Sequence, residues 1–166
     1  MLDQEMAGVA AHYECPFAMY HVRGTPATMQ EGNIIYQDVI AEISDFFETQ
    51  IIEGVRRGMR HEQFIIDPGI GFGKTLHHNL EIIQQLGEFK KFGLPILIGV
   101  SRKSHLGLLL KNELGLTDTP PAEDRLEASL AEAVIAALNG ADIVRTHNVA
   151  ETRRALAVVD AIKKNV

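Results

Sequence analysis

Apolar runs along this chain end abruptly in polar, glycine-rich or cationic residues, and each then gives way to helical spacing. Phe64-Ile65-Ile66 leads into Asp67-Pro68-Gly69-Ile70-Gly71-Phe72-Gly73-Lys74. Pro95-Ile96-Leu97-Ile98 leads into Gly99-Val100-Ser101-Arg102-Lys103-Ser104, and Asp142-Ile143-Val144 into Arg145-Thr146-His147-Asn148. Short apolar runs of this kind read as buried parallel strands that deliver functional groups at their C-terminal ends.

Helical patterns separate these strands. Residues 3–13 carry Met6, Val9 and Ala10 on one face and predict an amphipathic helix. Residues 16–21 predict a first strand, followed by the loop Arg23-Gly24-Thr25-Pro26. From 29 to 57 a long helix is predicted on Ile35, Val39, Ile43, Phe46, Phe47, Ile51 and Val55, with Gly58 as its stop. Further helices are predicted over 78–92, 102–112 and 121–138, and a last one from Asn148. Thr119 is the expected N-cap of the 121–138 helix, with Pro120 in its first turn. Asn148 is the expected N-cap of the last helix, with Glu151 reaching back in a capping box.

Strands alternating with helices imply an α/β fold with a parallel sheet built from about four strand–helix units. Four such units suit either a small open sheet or half of an eight-stranded barrel, whose full length is roughly 250 residues. The chain opens inside a helical pattern rather than on a strand, which favours the half-barrel, with residues 1–166 as a single domain.

Composition narrows the setting. The 166 residues are 46% hydrophobic and 23% charged, enough apolar material for a core. The net charge of −6 argues against a nucleic-acid surface but leaves room for a local cationic site. A single cysteine, Cys15, excludes an internal disulfide and reads as a partly buried small residue before the first strand. No apolar run approaches the roughly 18 residues of a membrane span, and the acidic first residues do not resemble a secretory signal. A cytoplasmic protein without membrane or nucleic-acid partners is expected.

The strand tips carry the candidate chemistry. Asp67 before Pro-Gly is ordinary turn chemistry, or else a carboxylate facing the two-donor edge of a ligand such as a 2-amino-pyrimidinone. Gly69, Gly71 and Gly73 allow close backbone approach, but their spacing fits neither a Walker loop nor a dinucleotide fingerprint. Arg102 and Lys103, where a strand passes to a helix, suit a carboxylate or phosphate, or form a solvated pair. Ser101 and Ser104 cap that helix or bind an anion. Arg145 and His147 share one side of an extended backbone and suit a diphosphate, or else a salt bridge to a helix acid. His21 joins the same mouth or fills its rim, and His77 and His78 read as solvated. No histidine pair has metal-ligand spacing.

The residues His21-Val22-Arg23-Gly24-Thr25-Pro26 with Met29-Gln30, Asp67 through Lys74, Gly99 through Ser104, and Arg145-Thr146-His147 together resemble the dihydropteroate synthases of the pterin-binding barrel family. The resemblance runs over essentially the whole chain. It implies condensation of a 6-hydroxymethyl-dihydropterin diphosphate with p-aminobenzoate, releasing pyrophosphate, and inhibition by sulfonamides. By resemblance, Asp67 pairs with the pterin edge, and Lys103 bonds the pterin and helps form the aminobenzoate pocket. Phe72 lies along that pocket, Ser104 receives the aminobenzoate carboxylate, and Arg102 is a cation nearby. Gly99 belongs to the binding segment, and Arg145 and His147 hold the departing diphosphate. The family is usually dimeric through its later helices, which points to 121–138 and 150–163.

Two local departures stand out: Tyr20 where the family commonly has methionine, and Asn148 where it has aspartate. A larger one is that the chain begins, in family terms, in the helix before the fifth strand, so the resemblance implies the C-terminal half of a TIM barrel. The asparagine that helps bind the diphosphate-associated Mg²⁺ therefore falls outside it, as do an Asp and an Asn for the pterin and two mobile loops. The chain alone is expected to be an incomplete synthase. The alternatives are a non-catalytic pterin- or anion-binding half-barrel, a half-barrel completed by pairing with another, and a pterin-binding methyltransferase domain.

Overall fold

The computed structural model describes residues 4–25, 29 and 34–165. Pro26 and Gln30 of the first resembling segment lie outside them. Among the described residues six α-helices and four strands follow one another, with α4 and α5 consecutive: α1 Gln4–His12, β1 Phe17–Tyr20, α2 Val39–Arg56, β2 Phe64–Asp67, α3 Leu76–Gln84, β3 Leu97–Ile98, α4 Ser104–Leu114, α5 Leu126–Leu138, β4 Ile143–Val144 and α6 Val149–Lys164.

The strands are parallel and lie side by side in chain order. β1 pairs with β2 from Phe17 opposite Phe64 to Tyr20 opposite Asp67. A parallel bridge between Ile66 and Ile96 joins β2 to the start of β3, and Leu97 and Ile98 pair with Ile143 and Val144 of β4. All four strands therefore end on one side of the molecule, as consecutive β/α units require.

One sheet face is packed and the other is open. Met19, Phe64, Ile66, Ile96 and Ile98 are buried against Ile43 and Phe47 of α2, Ile82 of α3 and Ala133 of α5. Ala18, Tyr20 and Ile143, on the alternate positions, are exposed. A parallel sheet packed by helices on one face, with exposed residues on the other, is the architecture expected of part of a barrel.

The element bounds correct several expectations. α2 starts at Val39, not near 29, because the Asp38 side chain accepts the Ala41 N–H at 2.9 Å and caps it there. Ile35 stands before the helix and is exposed, and Val55 is exposed as well. The expected 78–92 helix breaks at Gln85, and Leu86–Phe92 continues as a 3₁₀ helix. Its apolar residues Leu86, Phe89 and Phe92 recur every third position, which suits three residues per turn. Thr119 caps nothing: a 3₁₀ turn over Ala122–Arg125, with Pro121 at its cap position, precedes α5. Gly58 does follow the end of α2, at φ 96° with its N–H on Val55 O. Cys15 is exposed rather than partly buried.

Candidate functional site

Asp67 ends β2 and is 7% exposed. Its Oδ1 accepts the Gly69 N–H at 2.8 Å, and its backbone carbonyl accepts the N–H of His21 at 2.9 Å. Burial raises the pKa of the carboxyl above its usual value. The Gly69 N–H and the charges of Lys103, Arg145 and Lys74 oppose that rise. One residue thus makes the turn bond and buries its carboxyl group.

The loop after Asp67 folds back over the strand tips. Gly69, at φ 73°, could carry no side chain, because a Cβ would overlap the carbonyl oxygen of His21. The Gly71 N–H donates to Asn79 Oδ1 at 2.7 Å, and the Tyr36 hydroxyl donates to Gly73 O at 3.1 Å. Inside the loop lies Lys74, only 4% exposed. Its Nζ donates to Gly69 O at 2.9 Å and Phe72 O at 3.1 Å, and lies 3.0 Å from His21 Nδ1. Three acceptors match the three N–H bonds of an ammonium. Burial pulls its pKa down to about 7, against the attraction of Asp67. His21, buried beside this cation, has its pKa lowered to about 3 and is neutral, so Nδ1 accepts.

The second tip brings Lys103 to the same place. Its Nζ donates to Ile70 O at 2.9 Å and stands 3.9 Å from the centroid of the Phe72 ring. Burial lowers its pKa and Asp67 raises it. Phe72 in turn meets the ring of Tyr20 at 5.5 Å between centroids, so Tyr20 forms part of this wall. Ser104 is exposed in the first turn of α4, next to Lys103.

From the third tip, the Arg145 guanidinium covers Gly99, where a Cβ would stand 3.1 Å from Nη2. His147 turns the other ring edge to Ser101, with Nδ1 3.0 Å and the backbone N–H 3.3 Å from its Oγ. Asp67, Lys103 and Arg145 thus meet at adjacent strand ends: one buried acid facing two cations.

Sequence patterns matching the model of the family described as pterin binding enzyme extend over residues 1–147. The chain belongs to the pterin-binding enzyme family. It is 45% identical over 152 residues to a dihydropteroate synthase of Escherichia coli K12, covering 92% of this chain and 51% of that protein. A structure of the Yersinia pestis dihydropteroate synthase in a sulfonamide drug complex superposes with a TM-score of 0.89 at 38% identity, covering 96% of this chain and 55% of the other. The Xanthomonas albilineans dihydropteroate synthase in complex with 7,8-dihydropteroate superposes at 0.84 and 29% identity, over 97% of this chain and 55% of that one. The chain therefore spans about half the length of the relatives it matches.

Within this member of the family, the expected residues divide. Asp67, Phe72, Gly99, Lys103 and Arg145 converge, while His147 and Ser104 flank them. Arg102 turns aside: Nε and Nη2 donate to Asn148 Oδ1 at 3.2 and 2.8 Å. That contact occupies the Asn148 amide, which consequently does not cap α6, and Glu151 lies near Arg154 instead. His78 is not simply solvated, because it completes a capping box with Thr75 at the start of α3. Sequence reasoning gave no role to Lys74, Asn79, Arg125, Ser129, His105 or Glu132. Lys74 had a signal, standing at the end of the three-glycine loop, but lysine composition argues for the surface.

Among the described residues no group of three or more His, Cys, Asp or Glu side chains is arranged to hold a metal ion. No helix among them is long and apolar enough to cross a membrane.

Proposed function

We propose that this chain supplies one half of a dihydropteroate synthase site, binding the pterin and the departing diphosphate and framing the aminobenzoate pocket. The observation that carries the reading is the buried carboxylate of Asp67 beside Lys103 and Arg145. A carboxylate here accepts two hydrogen bonds from the amino-pyrimidinone edge of a pterin, and the pterin replaces the water that burial excluded. Lys103 donates to the pterin ring and, with Phe72, forms the floor beneath the aminobenzoate. Ser104 and the start of α4 receive the aminobenzoate carboxylate. Gly99 keeps the space above β3 clear for Arg145.

In the reaction, the bond between the pterin methylene and the diphosphate oxygen breaks as the aromatic amine forms a C–N bond to that carbon. The amine then loses a proton, and the diphosphate departs with the electron pair. Arg145 and His147 stabilise the charge growing on the diphosphate. Asp67 and Lys103 fix the pterin so that the methylene faces the amine. A methyl transfer would leave no diphosphate to hold, so the Arg145 and His147 pair favours the synthase over a methyltransferase.

The open sheet face, with Ala18, Tyr20 and Ile143 exposed, favours completion by further strands before turnover. Incubating the purified chain with pterin diphosphate and labelled p-aminobenzoate tests this. The reading expects the pterin and pyrophosphate to bind while little dihydropteroate forms. Absence of binding of both ligands overturns the assignment, and brisk turnover by the monomer overturns the need for completion.

A further inference from the structure

Three side chains on α5 and its entry turn hold the same four-residue segment, Arg102 to His105. Ser129 and Glu132 stand three apart on one face of α5, and Arg125 holds the cap position four residues before Ser129. Arg125 Nη1 donates to Arg102 O at 3.0 Å, and its Nε and Nη2 are anchored on Pro120 O at 2.9 and 2.6 Å. Ser129 Oγ accepts the Arg102 N–H at 2.8 Å and donates to Arg125 O at 2.6 Å. Glu132 places both carboxylate oxygens 2.9 Å from His105 Nε2, and Ser129, Glu132 and His105 are all buried.

The segment needs such a hold. Arg102 has φ 59°, the left-handed conformation that a side chain with a Cβ adopts only where its surroundings impose it. That single turn separates Ser101, which meets His147, from Lys103, which reaches Ile70 O and Phe72. α4 also makes room for the anchor: a Cβ on Gly107 would come within 2.7 Å of Arg125 Nε.

We propose that Arg125 and Ser129 are positioning residues, which fix the left-handed turn at Arg102 and thereby place the Lys103 ammonium over Phe72. This rests on the reading of Lys103 as a pterin and aminobenzoate contact. Neither positioning residue touches Phe72 or Asp67 in the hydrogen bonds described, so both act through the backbone of Arg102 and Lys103.

The test uses the whole chain carrying ¹³C-labelled lysine. The Phe72 ring current should displace the Lys103 ε-methylene signal from those of exposed lysines. Two variants are compared: Ser129→Ala, and Arg125→Lys, which keeps the charge but loses the fork. In both, the displaced signal is expected to return to the common lysine position while the amide spectrum stays dispersed. Affinity for 6-hydroxymethylpterin, measured on the same samples, should fall about tenfold or more. An unmoved Lys103 signal in a folded variant overturns the proposal. If neither variant folds, hydrogen exchange at the Arg102 amide of the unaltered chain decides: slow exchange supports the hold, and exchange at the rate of an open loop refutes it. A lost signal with no pterin binding even in the unaltered chain would support the positioning role and remove the pterin reading.

Discussion

Lys103 and Phe72 come from different strand ends, yet the Lys103 ammonium stands 3.9 Å from the Phe72 ring centroid while donating to Ile70 O next along the same loop. The contact couples the glycine-rich loop after β2 to the cationic turn after β3. Replacing Phe72 by leucine removes the ring beneath the charge, worth about 0.5–2 kcal/mol. Titration of the labelled Lys103 should then show its pKa falling further below that of ordinary lysines. Asp67→Asn should act in the same direction, because the Asp67 charge raises the Lys103 pKa.

Lys74 holds the loop from within. Lys74→Met keeps the length of the side chain but deprives the Gly69 and Phe72 carbonyls of their buried donor. Denaturant unfolding should show a loss of about 2–4 kcal/mol, offset in part by removal of a buried charge.

The pair of Lys74 and His21 sets a pH dependence. His21 has a folded pKa of about 3 against 6.5 unfolded, so between these values the unfolded chain binds the extra proton. Its contribution to stability is complete above pH 6.5 and is lost as pH falls towards 3, by up to about 4–5 kcal/mol. Lys74, at about 7 against 10.5 unfolded, gives a second rise in stability as pH increases from 7 to 10.5. Asp67, raised above 3.8, works oppositely and loses stability as pH rises through its own range. Unfolding free energies measured from pH 4 to 7 should therefore climb, and His21→Gln should flatten the climb.

How much of this was legible in the sequence follows from which physics each feature obeys. Apolar runs ending in polar groups located β2, β3 and β4, and the convergence of Asp67, Lys103 and Arg145 follows from parallel connections alone. The start of α2 was misplaced because Ile35 continues the helical spacing, while the local bond from Ala41 N–H to Asp38 decides the boundary. A lysine such as Lys74 reads as surface unless its acceptors are known, and those come from loop carbonyls two and five residues back and from His21, just after β1. The Arg125 and Ser129 hold was invisible for a related reason: its partners are backbone groups more than twenty residues away.

Self-association through the later helices is a proposal that their exposed apolar side chains make testable. Val158 and Ile162 on α6 and Leu138 at the end of α5 are more than half exposed. Sedimentation should give twice the chain mass, and Val158→Lys with Ile162→Lys should give the monomer without loss of helix content. A monomeric parent chain would contradict this assignment.

The central claim is that Asp67 is the pterin carboxylate. Calorimetric titration of 6-hydroxymethylpterin into the unaltered chain and into Asp67→Asn tests it most directly. The amide keeps the size of the side chain but loses one acceptor and the charge, so pterin affinity should fall about ten- to a hundredfold. Pyrophosphate, which the proposal assigns to Arg145 and His147, should bind both proteins alike. Equal pterin affinity in the two proteins would contradict the account.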